Sequence, residues 1–218
     1  MLPCDVTIEH MFLQPSLFDS CTPALAADPL VTRLYLDDAS WVDHSPGWLD
    51  GADALFDELV DLLPWRQRTG VAMYDSVVDE PRLVHWWSTK SAHSEPLPVL
   101  GEIRETLSER YERSFDSIGF NLYRHGRDSV AWHGDRHRHH VTNPVVVIVS
   151  VGARRPLRIR PRGGGPSFGW DLGRGDLFVM GGACQHEWEH CVPKRRHAQP
   201  RMSITFRHDA TGLGRPTV

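Results

Sequence analysis

The sequence predicts an α+β fold, mainly β, in which helices come first and a jelly-roll-like barrel follows. Three observations carry this expectation. Leu55, Leu59, Leu62 and Leu63 recur at helical spacing in DALFDELVDLLPW, and Pro64 ends that helix. A second stripe, Leu100, Ile103, Leu107 and Tyr111, predicts a helix over 98–113. From Ser117 onward the chain breaks into short β-rich runs, IGFNLYR, PVVVIVS, LRIR, DLFVM, HEWEH and RMSITFR, parted by Gly, Pro or Asp. Between the helices, GVAMYDSVVDEPRLVHWWS reads as two short strands joined by a polar turn, and RPRGGGPSFG and DLGRGD read as turns.

Composition sets wide bounds. A chain of 218 residues, 40% hydrophobic, can bury one real core and has no apolar run long enough to span a membrane. Its start lacks the basic flank and apolar stretch of a signal peptide. Cys4, Cys21, Cys184 and Cys191 are irregularly spaced and form no CxxC pair, so a reduced, cytoplasmic protein is expected; a monomer is the separate expectation for its assembly. With a net charge of −4, any nucleic-acid partner must be met by a local basic patch.

The chemistry concentrates in three segments. In VAWHGDRHRHH (130–140), an extended backbone over Ala131–Asp135 would turn His133 and Asp135 to one face. An imidazole and a carboxylate so placed are two of the three ligands of a 2-His-1-carboxylate iron site. A third would come from ACQHEWEHCVPKRRHA, where His186, Trp188 and His190 share a strand face. Spacing does not choose between the two histidines, and a surface or zinc role beside Cys184 and Cys191 fits equally. In RMSITFR, Met202, Ile204 and Phe206 form an apolar face, with Arg201, Ser203, Thr205 and Arg207 opposite. In FNLYR, Asn121 and Tyr123 oppose Phe120 and Leu122. A half-exposed strand explains that alternation; so does a barrel interior whose guanidinium groups await an anion such as a dicarboxylate.

Taken in order, N121-x-Y123, H133-x-D135, VSVGARRPLRIR, GDLFVMGG, W188-x-H190-x-x-P193 and PRMSITFR resemble the AlkB-type iron(II)/2-oxoglutarate-dependent nucleic-acid dealkylases. The resemblance runs from about Pro64 to Asp209. It implies a double-stranded β-helix (cupin-like) core over 117–210, preceded at 1–116 by an extension with helices and a nucleotide-recognition hairpin and followed by a tail at 211–218, together one structural domain. It implies iron at His133, Asp135 and His190, leaving His137, His139, His140 and His186 outside the first ligand set. It implies 2-oxoglutarate at Asn121, Tyr123, Arg201 and Arg207, with Arg201 on the distal carboxylate. The implied reaction takes up O₂, releases succinate and CO₂, and hydroxylates an N-alkyl carbon whose hemiaminal then loses an aldehyde. The implied substrate is DNA carrying alkylated bases, or RNA; an oxygenase acting on a protein or small molecule is the alternative.

For the substrate, the resemblance points to Met73 and Tyr74, eight residues ahead of Pro81, as a wedge filling the gap left by a flipped base. A core pair at a strand end is the plainer reading of those two. Arg82, Arg136, Lys194, Arg195 and Arg196 are candidate phosphate contacts, or simply solvated charges. Two features depart from the family's pattern. His137 stands where relatives place an acidic residue near the base, with Arg136 beside it, and 88–98 lacks a capping aromatic, His93 being the nearest substitute. Both bear on base preference and leave the iron and cosubstrate positions intact.

Overall fold

The computed structural model describes residues 22–73, 76–91, 93–135, 141 and 143–208. Tyr74, Arg136, His137, His139 and His140, together with Cys4 and Cys21, lie outside these residues. Nearly everything between the helices is antiparallel sheet. Four strands come first: β1 (Ala24–Leu25), β2 (Thr32–Tyr35), β3 (Ser40–Ser45) and β4 (Leu49–Asp50). Then follow α1 (Ala52–Leu62), β5 (Val71–Met73), β6 (Ser76–Val78), β7 (Leu83–Ser88) and α2 (Pro98–Tyr111). The second half holds β8 (Phe115–Tyr123), β9 (Val130–His133), β10 (Val146–Gly152), β11 (Arg155–Pro161), β12 (Phe168–Leu172) and β13 (Asp176–Gly182). A single helical turn, α3 (Cys184–Glu187), precedes β14 (Trp188–Val192) and β15 (Arg201–His208).

A seven-stranded sheet, ordered β2-β3-β13-β10-β15-β8-β7, faces a four-stranded sheet, β12-β11-β14-β9. The mainly β jelly roll expected from the sequence is the architecture observed. Its core has two layers. Val147, Val149 and Val151 of β10 point out toward α1 and α2, joining Phe56, Leu59, Ile103 and Leu107. Val146 and Ile148 point between the sheets, with Leu157, Ile159, Phe178 and Trp188. Burial on both faces is why β10 reads as an unbroken apolar run rather than an alternation.

The α1 helix places Leu55, Leu59 and the following Leu63 in the core but leaves Leu62 half exposed. Elsewhere the sequence reading needs correcting. GVAMYDSVVDEPRLVHWWS forms three strands, not two: β5 and β6 pair as a hairpin with Met73 opposite Ser76, and β7 joins the large sheet beside β8. Residues 22–50 contribute strands that carry no periodic signal. Asp43 and Ser45 of β3 are buried, Asp43 because Arg33 grips both its oxygens at 2.7 and 2.9 Å and Tyr111 donates to it. The end of RPRGGGPSFG is not turn but the start of β12. HEWEH is not one strand, because Ala183 O accepts from the backbone N–H groups of His186 and Glu187, closing a helical turn before the strand starts at Trp188. No helix among the described residues is long and apolar enough to cross a membrane.

Candidate active site

The polar face of β15 lies between the sheets. Arg201, Ser203 and Thr205 are buried there while Met202, Ile204 and Phe206 face the helices, so the half-exposed reading of RMSITFR fails. In register, Arg201 pairs with Tyr123 and Ser203 with Asn121, which brings the two polar motifs onto one inner surface.

Across from them β9 ends at His133, directly opposite His190 on β14. Their rings are 4.3 Å apart, and Asp135 Oδ1 lies 3.7 Å from His133 Nε2 and 3.9 Å from His190 Nε2. Among the described residues, this is the group of His, Cys, Asp and Glu side chains whose ligand atoms converge as a metal requires, all within 4.8 Å. The helical turn parts the two histidines that spacing left together. His186 belongs to α3, where its Nε2 lies 3.2 Å from the carbonyl of Val141, and it is not among the convergent ligands.

Each member of the trio is held by a neighbour. His133 Nδ1 sits 2.9 Å from the Ala131 carbonyl; a ring N–H donated there leaves Nε2 bare toward Asp135. Asp135 Oδ2 accepts from Arg207 Nε at 2.7 Å, reserving Oδ1 for the histidines. Burial disfavours the Asp135 carboxylate, but Arg207, His190 and His133 outweigh it and hold the carboxyl well below its usual range. Burial, reinforced by His133 and Arg207 against the pull of Asp135, pushes His190 down to about 3, so its imidazole is neutral. Two imidazoles beside one carboxylate suit a divalent first-row metal with open positions.

The second feature is a buried cation with no carboxylate in contact among the described residues. Arg201 is 1% exposed, donates to Ser150 Oγ, and lies with its guanidinium carbon 5.4 Å from the Tyr123 ring centre. Its Nε has no hydrogen-bond partner, and burial lowers its pKa to about 10. A second buried guanidinium, Arg155, is spent on the backbone carbonyls of His125, Asp128 and Pro193. Stranding a charge in this way costs several kcal/mol, and a carboxylate reaching Arg201 removes the cost. The donor set therefore fits both an iron ion and an acidic cosubstrate.

Several supporting residues carried no signal in the sequence. Gln185 is buried, and its Oε1 accepts the backbone N–H of Asp135 at 3.0 Å. Gly134 lets that loop approach closely, since a Cβ there would sit 2.9 Å from the Gln185 carbonyl oxygen. Gly119, in mid-strand, makes room for Arg207 beside Trp86; a Cβ would meet them at 3.0 and 3.1 Å. Only the HGD motif's tight spacing hints at any of this. Of the residues singled out for substrate, Met73 ends β5 and Arg82 is turned inward on Asn121. Tyr74, Arg136 and His137 fall outside the described residues. His93 accepts through its carbonyl from Trp87 Nε1.

The chain matches the family described as the 2OG-Fe(II) oxygenase superfamily over residues 50–207. It is 34% identical over 184 residues to "Alpha-ketoglutarate-dependent dioxygenase alkB homolog 3" of Bos taurus, covering 74% of this chain and 64% of that protein. The human protein of the same name is 33% identical with the same coverage. "DNA oxidative demethylase ALKBH2" of Homo sapiens is 31% identical over 120 residues, 51% of this chain and 46% of that protein. The chain thus spans just under two thirds of the homolog 3 relatives it matches.

Proposed function

Since this chain belongs to the 2OG-Fe(II) oxygenase superfamily, and within it to the AlkB type, whose cofactors are Fe(II), 2-oxoglutarate and O₂, we propose that it is a nucleic-acid dealkylase, acting on DNA with N-alkylated bases and with RNA as the second substrate class. One observation carries the reading: Asp135 offers Oδ1 to two imidazoles while Arg207 retains Oδ2, and buried Arg201 awaits an anion on the same inner surface. His133, Asp135 and His190 would hold iron; Asn121, Tyr123, Arg201 and Arg207 would hold 2-oxoglutarate.

When bound, iron(II) with 2-oxoglutarate and O₂ supplies oxidative decarboxylation to succinate and CO₂ and the transfer of one oxygen atom to a substrate carbon. The protein's own part is positional. Arg201 and Tyr123 would anchor the distal carboxylate, Arg207 holds Oδ2 of Asp135 so that Oδ1 is left for the metal, and burial between the sheets would strengthen each contact. On an N-alkyl group the hydroxylated carbon is a hemiaminal, which expels an aldehyde and leaves the bare base. We assign residues 117–210 to this chemistry and the hairpin within 1–116 to recognition, in a cytoplasmic monomer. The nucleic-acid substrate rests on the likeness to relatives named as DNA demethylases and alkB homologues. The test is incubation with Fe(II), 2-oxoglutarate and oligonucleotides carrying 1-methyladenine or 3-methylcytosine, read by mass spectrometry of the bases. Restored adenine or cytosine with matching succinate is expected. Succinate formed without base repair would move the substrate to a protein or small molecule.

A further inference from the structure

Arg82 Nε donates to Oδ1 of Asn121 at 2.9 Å, and one terminal nitrogen lies 3.0 Å from Oε2 of Glu80. Glu80, 9% exposed, is gripped from its other oxygen by Arg68 at 3.1 Å. A guanidinium has donors and no acceptor, so the Asn121 amide can turn only its oxygen toward Arg82. Its NH₂ is then directed at Ser203, where it makes only a long contact of 3.4 Å. Ser203 stands two residues from Arg201 on the same inner face of β15. The reversed amide would set donor against donor and offer an oxygen to whatever anion Arg201 binds.

We propose that Arg82 is a positioning residue for the keto-acid cosubstrate: it locks the Asn121 amide so that the NH₂, not the oxygen, meets the cosubstrate's carboxylate or keto oxygen. Its side chain is 16% exposed and doubly engaged, which is a poor arrangement for a phosphate contact and a good one for a fixed strut. The proposal rests on the assignment of Asn121 to 2-oxoglutarate, and the experiment separates the two. The full chain is loaded with Mn(II), and 2-oxoglutarate binding is followed by tryptophan fluorescence for the wild type, Arg82→Met, Asn121→Ala and the double variant. Binding of an unmodified duplex is measured in parallel.

Arg82→Met is expected to weaken 2-oxoglutarate about tenfold or more, the scale of one hydrogen bond to a charged group. The double variant should be no worse than Asn121→Ala, because both changes act through one amide. Duplex affinity should not change. Unaltered 2-oxoglutarate binding in Arg82→Met, or effects that simply add, would overturn the proposal, and a lost duplex affinity in that case would return Arg82 to the phosphates. If the wild type itself fails to bind 2-oxoglutarate, the cosubstrate reading is what falls. Should Arg82→Met unfold by stranding Glu80, the same cycle is read with Glu80→Gln in every arm.

Discussion

Arg207 and Asp135 divide a carboxylate between two tasks. Arg207 Nε holds Oδ2 at 2.7 Å, and Oδ1 is left 3.7 and 3.9 Å from the two histidine nitrogens. The first prediction follows. His133→Ala, Asp135→Ala and His190→Ala should each abolish Mn(II) or Fe(II) binding and turnover, measured by metal titration and succinate yield. His186→Ala should do neither, since that ring reaches the Val141 carbonyl. Isolated protein is expected to carry Ni, Cu or Zn where these compete, because such ligands bind them more tightly than Fe(II). Metal binding that survives His190→Ala but not His186→Ala would reverse the assignment.

How much of this was readable in the chain depends on what each residue touches. The face of RMSITFR could be drawn from alternation, but whether it met water or the interior depended on β8 and β10 on either side, which no local pattern reveals. His190 and His186 were indistinguishable because one turn of helix and a strand place an i, i+4 pair on a shared face about equally well. The strands at 24–50 were missed because β3 buries an aspartate whose partner, Arg33, lies ten residues back. Gln185 was invisible since its role is to accept one backbone N–H fifty positions away.

The second prediction concerns Arg201. Arg201→Ala should weaken 2-oxoglutarate by about 3–5 kcal/mol, the scale for leaving one member of a buried charge pair alone. Arg201→Lys should recover part, since an ammonium cannot form the planar two-pronged contact. Arg201→Met makes a contrast. Removing a buried charge that has no carboxylate partner among the described residues should raise or preserve the melting temperature of the ligand-free protein, while the upward shift normally given by 2-oxoglutarate disappears. A shift that persists in Arg201→Met would place the anion elsewhere.

Acid should loosen the metal-free fold earlier than carboxylate titration accounts for. Burial pushes His190 down to about 3 and lowers His44 and His85 as well. In the unfolded chain these rings take up protons near pH 6.5, so the unfolded state binds more protons than the native one below that pH. Stability is therefore whole above about pH 6.5 and falls as pH drops toward the native values. Asp135 is depressed as well, and its contribution is lost at lower pH, as the pH falls through the ordinary carboxylate range toward the native value. Urea midpoints at pH 7.5, 6 and 5 should decline, and the decline should flatten in His190→Gln. An equal slope in that variant would mean other groups carry it.

Gln185→Leu leaves the Asp135 N–H buried without a partner, at a cost of about 1–3 kcal/mol. Because that N–H belongs to the ligand loop, the loss should appear as weaker Mn(II) binding more than as a lower melting temperature. Gln185→Glu should restore the acceptor and most of the affinity. Weakened stability with unchanged metal affinity would reduce Gln185 to ordinary packing.

The hairpin formed by β5 and β6 carries the last prediction. A wedge there, at Met73 and Tyr74, would fill the hole left by a flipped base and offset part of its unstacking. A single strand has no such hole to hold open. Base–aromatic contacts are worth about 1–3 kcal/mol by truncation, so Ala at both positions should slow repair of duplex DNA by about tenfold or more and leave single-stranded repair little changed. If the two side chains serve the core instead, the double variant should melt earlier and lose both activities alike. Measuring both rates and the melting temperature on one preparation separates the cases, and equal loss on both substrates would retire the wedge.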